Sequence, residues 1–183
     1  GGGAEAPLTS QERTTMQDTL QRYLGQVSAH IDRAAFKAIL EPIVDLLSCQ
    51  SMISATILPS VGAVTTKMGS VAWYGMASGI PVTIAATTVL PALVGTIAQN
   101  TFNVYAYYID SAGTVTSQMG TAGATLAAVK FPVRPAGKAL VGASLFNPTS
   151  AAFIGGTTLA DAANTNHIGL NVLGGFDQTS LVG

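Results

Sequence analysis

His167 is the residue whose type and setting most invite a search for catalysis, because it lies near Asp161 and Asp177 in a chain where Ser and Thr are plentiful. Those are the residue types of a serine-type triad, in which a carboxylate orients an imidazole that takes the proton of a hydroxyl nucleophile. Residue types alone do not build one, since no Gly-x-Ser-x-Gly turn is present to expose a serine. The bland alternative is a histidine at a loop or strand start after Asn164-Thr165-Asn166. His30, beside an apolar helical stripe, reads as a helix-flank histidine rather than a general base.

Other chemistries find even less. The sequence holds no phosphate-cradling Gly-x-x-x-x-Gly-Lys-Ser/Thr, no His-x-x-x-His and no Cys-x-x-Cys. Its single cysteine, Cys49, allows neither an internal disulfide nor a multi-cysteine metal site, and reads as a small apolar residue at the end of a helical stretch. Asp110, Asp161 and Asp177 are too scattered to suggest the paired carboxylates of a glycosidase. Trp73-Tyr74 and the tyrosines at 105, 107 and 108 offer an aromatic platform for a carbohydrate, but aromatics in strands more often fill a core or a subunit contact. The reading is therefore non-enzymatic, with no catalytic, cofactor-binding or metal-binding residues.

The elements that would position these groups differ between the two halves of the chain. Residues 1–50 carry Arg13, Arg22, Arg33 and Lys37 against Glu5, Glu12, Asp18, Asp32, Glu41 and Asp45. Residues 51–183 carry only Lys67, Lys130, Arg134, Lys138, Asp110, Asp161 and Asp177. This divides the chain into a flexible lead-in (1–8), a helical arm (9–50) and a β-rich domain (51–183).

Thr9 and Glu12 make a capping box that starts the arm, and Met16, Leu20, Tyr23, Leu24, Val27 and Ile31 recur on one helical stripe. A second apolar series from Phe36 to Leu47 contains Pro42, which removes a backbone donor and predicts two helical pieces. The first stripe packs either on the chain's own β-domain or on another subunit.

In the second half, Phe102 to Ile109 is a β-favouring run apolar on both alternating faces, so it lies between two layers or at an interface. Asp110-Ser111-Ala112-Gly113 supplies a turn and Thr114 to Met119 the returning strand of a hairpin. Leu126 to Phe131 leads into a loop stopped by Pro132 and Pro135, after which Lys138 to Phe146 forms a further strand. With Gly155-Gly156 and Gly174-Gly175 punctuating the rest, the pattern predicts an α+β chain whose helical arm precedes an antiparallel sandwich or barrel.

Composition narrows the partners. Only 9% of residues are charged, against roughly 25% in ordinary soluble domains, whereas 48% are hydrophobic. A surface so poor in ions is either covered by small hydroxyl-bearing residues or buried between subunits, whose interface cores are depleted in charge. The formal net charge of −1 supplies no field to gather nucleic acid or an anionic membrane. Ile80 to Ala98 is uncharged over a span near that of a membrane helix, but Pro81, Pro91 and its β-branched residues favour extended structure.

From about Phe102 onward the chain resembles small virion proteins of tailed bacteriophages. The residues that carry the likeness are the run Tyr105 to Thr114, Gly123 to Pro132, Pro135 to Gly142, Asn147-Pro148-Thr149 and Phe153 to Leu159. The resemblance implies a homotrimeric capsid decoration or head-fibre protein on the particle surface. Its partners would be itself and the major capsid protein or other virion proteins, with no nucleic acid, membrane or cofactor. Assembly or capsid contacts are then expected at Met16, Leu20, Tyr23, Val27 and Ile31 of the arm and at Tyr105 and Tyr107 of the tyrosine-rich strand. A tail-fibre, baseplate or receptor-binding module is the alternative of the same origin, and a hydrolytic enzyme or a membrane-inserted protein comes behind both.

Overall fold

Helix and strand divide much as the charge distribution does. The computed structural model describes Gln11, Thr15, Asp18, Thr19, and residues 33–53 and 55–173. The four isolated positions are helical, and the hydroxyls of Thr15 and Thr19 donate to the carbonyls of Gln11 and Thr15 at 2.9 and 2.8 Å. The capping pair Thr9 and Glu12 lies outside the described residues.

The helix α1 (Arg33–Ser48) follows, and it runs through Pro42 without a break. This corrects the expectation of two pieces. Proline in a helix interior forfeits one backbone hydrogen bond and strains one turn, and here the turn beyond it is held by other bonds. The Asp45 carboxylate accepts from the backbone N–H of Gly137 at 2.7 Å and pairs with the Arg134 guanidinium, which also donates to the Lys138 carbonyl at 2.8 Å. Compact units comprise Gly1–Ile43 and Val44–Gly183, so the division falls inside α1, before the position that charge alone suggested.

Eleven strands are described in the second unit. They are β1 (Gln50–Ile53), β2 (Ile57–Pro59), β3 (Thr66–Met68), β4 (Trp73–Ala77), β5 (Ile80–Ile84), β6 (Thr96–Ile97), β7 (Asn103–Ile109), β8 (Val115–Met119), β9 (Ala139–Pro148), β10 (Phe153–Ile154) and β11 (Thr165–Asn171). All pair antiparallel, in sheets ordered β11-β9-β7-β8, β1-β4-β5, β2-β3 and β10-β6. The chain is thus α+β, with sandwich-like sheets. The uncharged stretch 80–98 forms β5 and β6 with a bridge at Val89 between them. Among the described residues no helix is long and apolar enough to cross a membrane.

Every residue of β7 is buried, as a strand apolar on both faces requires. Tyr105, Tyr107 and Ile109 face the main core, which they share with Trp73, Ile57, Met68, Ile97 and Phe153 of the other sheets and Leu93 of the β5–β6 connection. The alternate residues Val104, Ala106 and Tyr108 face a thinner second layer that Phe131, Val129 and Val172 help to cover. The two layers therefore belong to the chain itself.

The β7–β8 hairpin closes as its turn residues dictate. Asp110 Oδ1 accepts from the backbone N–H groups of Ala112 and Thr114 at 3.1 and 2.9 Å, and Gly113 takes a φ of 81°. Polar groups inside the core are mostly paired: Thr66 Oγ1 and Tyr107 Oη share a 2.6 Å hydrogen bond, and Trp73 Nε1 donates to Ser51 Oγ at 2.8 Å.

Candidate functional site

Of the residues singled out from sequence for assembly contacts, the structure describes Tyr105 and Tyr107. Met16, Leu20, Tyr23, Val27 and Ile31 lie outside the described residues. Tyr105 and Tyr107 are completely buried in the chain's own core, so the expectation that they contact another subunit is corrected. An apolar strand reports that both its faces are covered, not which molecule covers them. Trp73 is likewise enclosed and Tyr108 donates to the Pro132 carbonyl at 3.1 Å, which leaves Tyr74 as the half-exposed member of the supposed aromatic platform.

His167 sits in β11 opposite Phe146 of β9, with the two rings edge to face at a centroid distance of 4.9 Å. Its Nε2 is buried and has no hydrogen-bond partner among the described residues, and burial pulls the imidazole below its usual value of 6.5. Asp161 is engaged elsewhere, its Oδ2 accepting the Gly62 N–H at 2.8 Å, and Asp177 lies outside the described residues. The described residues thus give the imidazole a ring contact and no carboxylate to orient it. Among them, no three His, Cys, Asp or Glu side chains gather as metal ligands would.

The surface is more informative than the interior. Along α1, Phe36, Leu40, Ile43 and Leu47 repeat at alternating four- and three-residue steps, and all are exposed, Leu47 at 62%. A stripe with that period is the kind a second helix covers. On the outer face of the β1-β4-β5 sheet, Ile53, Tyr74 and Thr83 stand in one cross-strand row, and Ile53 and Tyr74 are about half exposed.

Charge does little to offset this apolar surface. Arg134 is tied to Asp45, Lys138 stands 3.9 Å from Asp110, and Lys37 and Glu41 pair along the helix at 3.4 Å. Sequence reading could not find the Asp45–Arg134 pair, since its members are far apart in the chain and become neighbours only through the fold.

A groove of about 360 Å3 opens beside β9 and β11, lined by Phe102, Leu126, Leu145, Asn147, Asn166, His167 and Ile168. Side chains alternate across a strand, so Asn166 and Ile168 take the sheet face opposite to the one on which His167 meets Phe146. His167 lines the groove while its ring packs on Phe146.

Comparisons with protein-family models, with curated proteins and with solved structures each return no match.

Proposed function

We propose that the chain is a structural protein of a bacteriophage particle, a homotrimeric decoration or head-fibre protein seated on the capsid surface and without enzymatic activity. The observation that carries this reading is the exposed apolar stripe Phe36, Leu40, Ile43 and Leu47 on a chain with 9% charged residues. Removing such a stripe from water stabilises an assembly by about 25 cal/mol per Å2 of apolar area. An interface of standard size takes roughly 800 Å2 from each partner. The function is mechanical: contacts repeated over a shell add up to a reinforcement that no single contact supplies.

Two further observations support the reading. The β-fold holds its own core around β7 and encloses Trp73, Tyr105 and Tyr107 without a partner, which suits a rigid module displayed on a surface. The resemblance described above supplies the particle context and the three-fold state.

The double variant Leu40→Glu, Leu47→Glu tests it. Both side chains are exposed in the single chain, so the substitutions leave the β-fold's unfolding transition in place. They abolish self-association and binding to undecorated capsids. An assembly unaffected by two buried carboxylates at its proposed contact would sink the proposal, because an unpaired charge in an apolar interface costs several kcal/mol.

A further inference from the structure

We propose that the groove on the second face of the large sheet is a binding site for a neutral sugar residue. Three features of its lining point to that chemistry, and the proposal does not depend on the chain being a particle protein.

The first is the absence of charge. The one ionisable residue of the lining is His167, whose ring packs edge to face on Phe146 and whose burial favours the neutral imidazole. A phosphate, a carboxylate or an ammonium group would find no counter-charge there, so an ionic ligand would be desolvated without compensation.

The second is a row of polar groups built by strand register. Asn147 of β9 and Asn166 of β11 are direct cross-strand partners, and Phe102 stands beside Asn147 because its neighbour Asn103 pairs with Phe146. Asn147 is fixed in place: its Nδ2 donates to the Thr101 carbonyl at 3.0 Å, and its Oδ1 faces the Asn166 Nδ2 at 3.4 Å. The Asn166 carbonyl oxygen has no partner among the described residues, and each amide retains an N–H to give. A carboxamide that can donate and accept at once matches a hydroxyl, which does the same.

The third is the apolar floor next to that row. Leu145 and Ile168 pair two residues further along, on the same face, and Leu126 of the 3-10 turn Leu126–Ala128 adds to the lining. A pyranose is amphiphilic in this same sense, with a C–H face that packs on Phe102 and the aliphatic floor and a hydroxyl edge that meets the two amides. A purely apolar ligand would leave the amides unpaired, which costs affinity. The volume lies at the lower end of the range for small-molecule sites, as suits one or two sugar rings.

The test is a titration of the isotopically labelled full chain, followed by amide chemical shifts. D-glucose, D-galactose, D-mannose and N-acetyl-D-glucosamine are added separately to about 50 mM, with N-acetylneuraminic acid as the charged control. The expected result is saturable binding of at least one neutral sugar, with shifts confined to positions 102, 126, 145–147 and 166–168. Asn166→Ala, an exposed position that the fold does not need, then weakens binding about tenfold, and Leu126→Asp weakens it at least as much, both at an unchanged melting midpoint.

Failure of every neutral sugar to saturate would overturn the proposal, as would equal binding of the acidic control or indifference to both substitutions. If the two variants instead change the mass of the assembly, the groove is a contact between copies and the sugar site falls, while the assembly reading stands.

Discussion

Gly169 of β11 lies against the backbone of Ile57 in β2, so close that a methyl group on it would overlap the Ile57 carbonyl oxygen. Here two strands of different sheets pack backbone to backbone, and no side chain larger than hydrogen fits between them. The neighbouring Gly142 of β9 supports the same approach, since a Cβ there would meet the Ile57 side chain. This contact helps seat the small β2-β3 sheet over the large one.

Gly169→Ala therefore destabilises the fold by about 2–3 kcal/mol, because backbone rather than a flexible side-chain end must move. Gly113→Ala, where a positive φ is required but the space is open, costs about 1 kcal/mol. Denaturant unfolding of both variants checks the ranking, and an equal or reversed order would remove the packing argument.

The two core tyrosines should respond in opposite directions to loss of the hydroxyl. Tyr107→Phe strips Thr66 of its 2.6 Å partner and lowers stability by about 1–2 kcal/mol. Tyr105 Oη is buried without a partner among the described residues, so Tyr105→Phe is neutral or raises stability by about 1 kcal/mol. Thermal melts of the pair separate these outcomes.

Tyr105 also sets an alkaline limit. Burial, with a smaller contribution from Tyr107, pushes its phenol up to about 12 from 10.0. A raised phenol keeps its proton longer in the folded state than in the unfolded one, so its contribution is present below pH 10 and is lost as pH rises from there toward 12. Stability measured across that interval falls in the wild type and falls less steeply in Tyr105→Phe.

At the acid end the controlling group is His167. Its folded-state value lies below 6.5 because burial disfavours the imidazolium, so the unfolded chain takes up the proton first as pH falls. Stability is intact above 6.5 and declines below it. Melting midpoints recorded from pH 7.5 to 5 should drop for the wild type and flatten for His167→Leu, which keeps an apolar contact with Phe146.

Local signals in the sequence specified the large elements. The Asp110–Gly113 turn, the doubly apolar strand before it and the switch from helix to strand near Ser48 each depend on neighbours within a few residues, and each is where the pattern put it. The partners of those elements were not readable. Tyr105 and Tyr107 looked like contacts because period alone cannot say whether Phe153 of the same chain or another molecule lies opposite. Pro42 looked like a break because the Asp45 contacts that hold the next turn come from a loop far along the chain.

The groove was equally hidden. Phe102, Asn147 and Asn166 are ordinary residues in isolation, and only the β7-β9-β11 register sets them in one row.

Sedimentation equilibrium of the purified full chain at micromolar concentration bears most directly on whether neighbouring protein covers this ion-poor surface. A single species of three times the chain mass that persists on tenfold dilution is the expected result. A stable species of one chain mass across that range would contradict it.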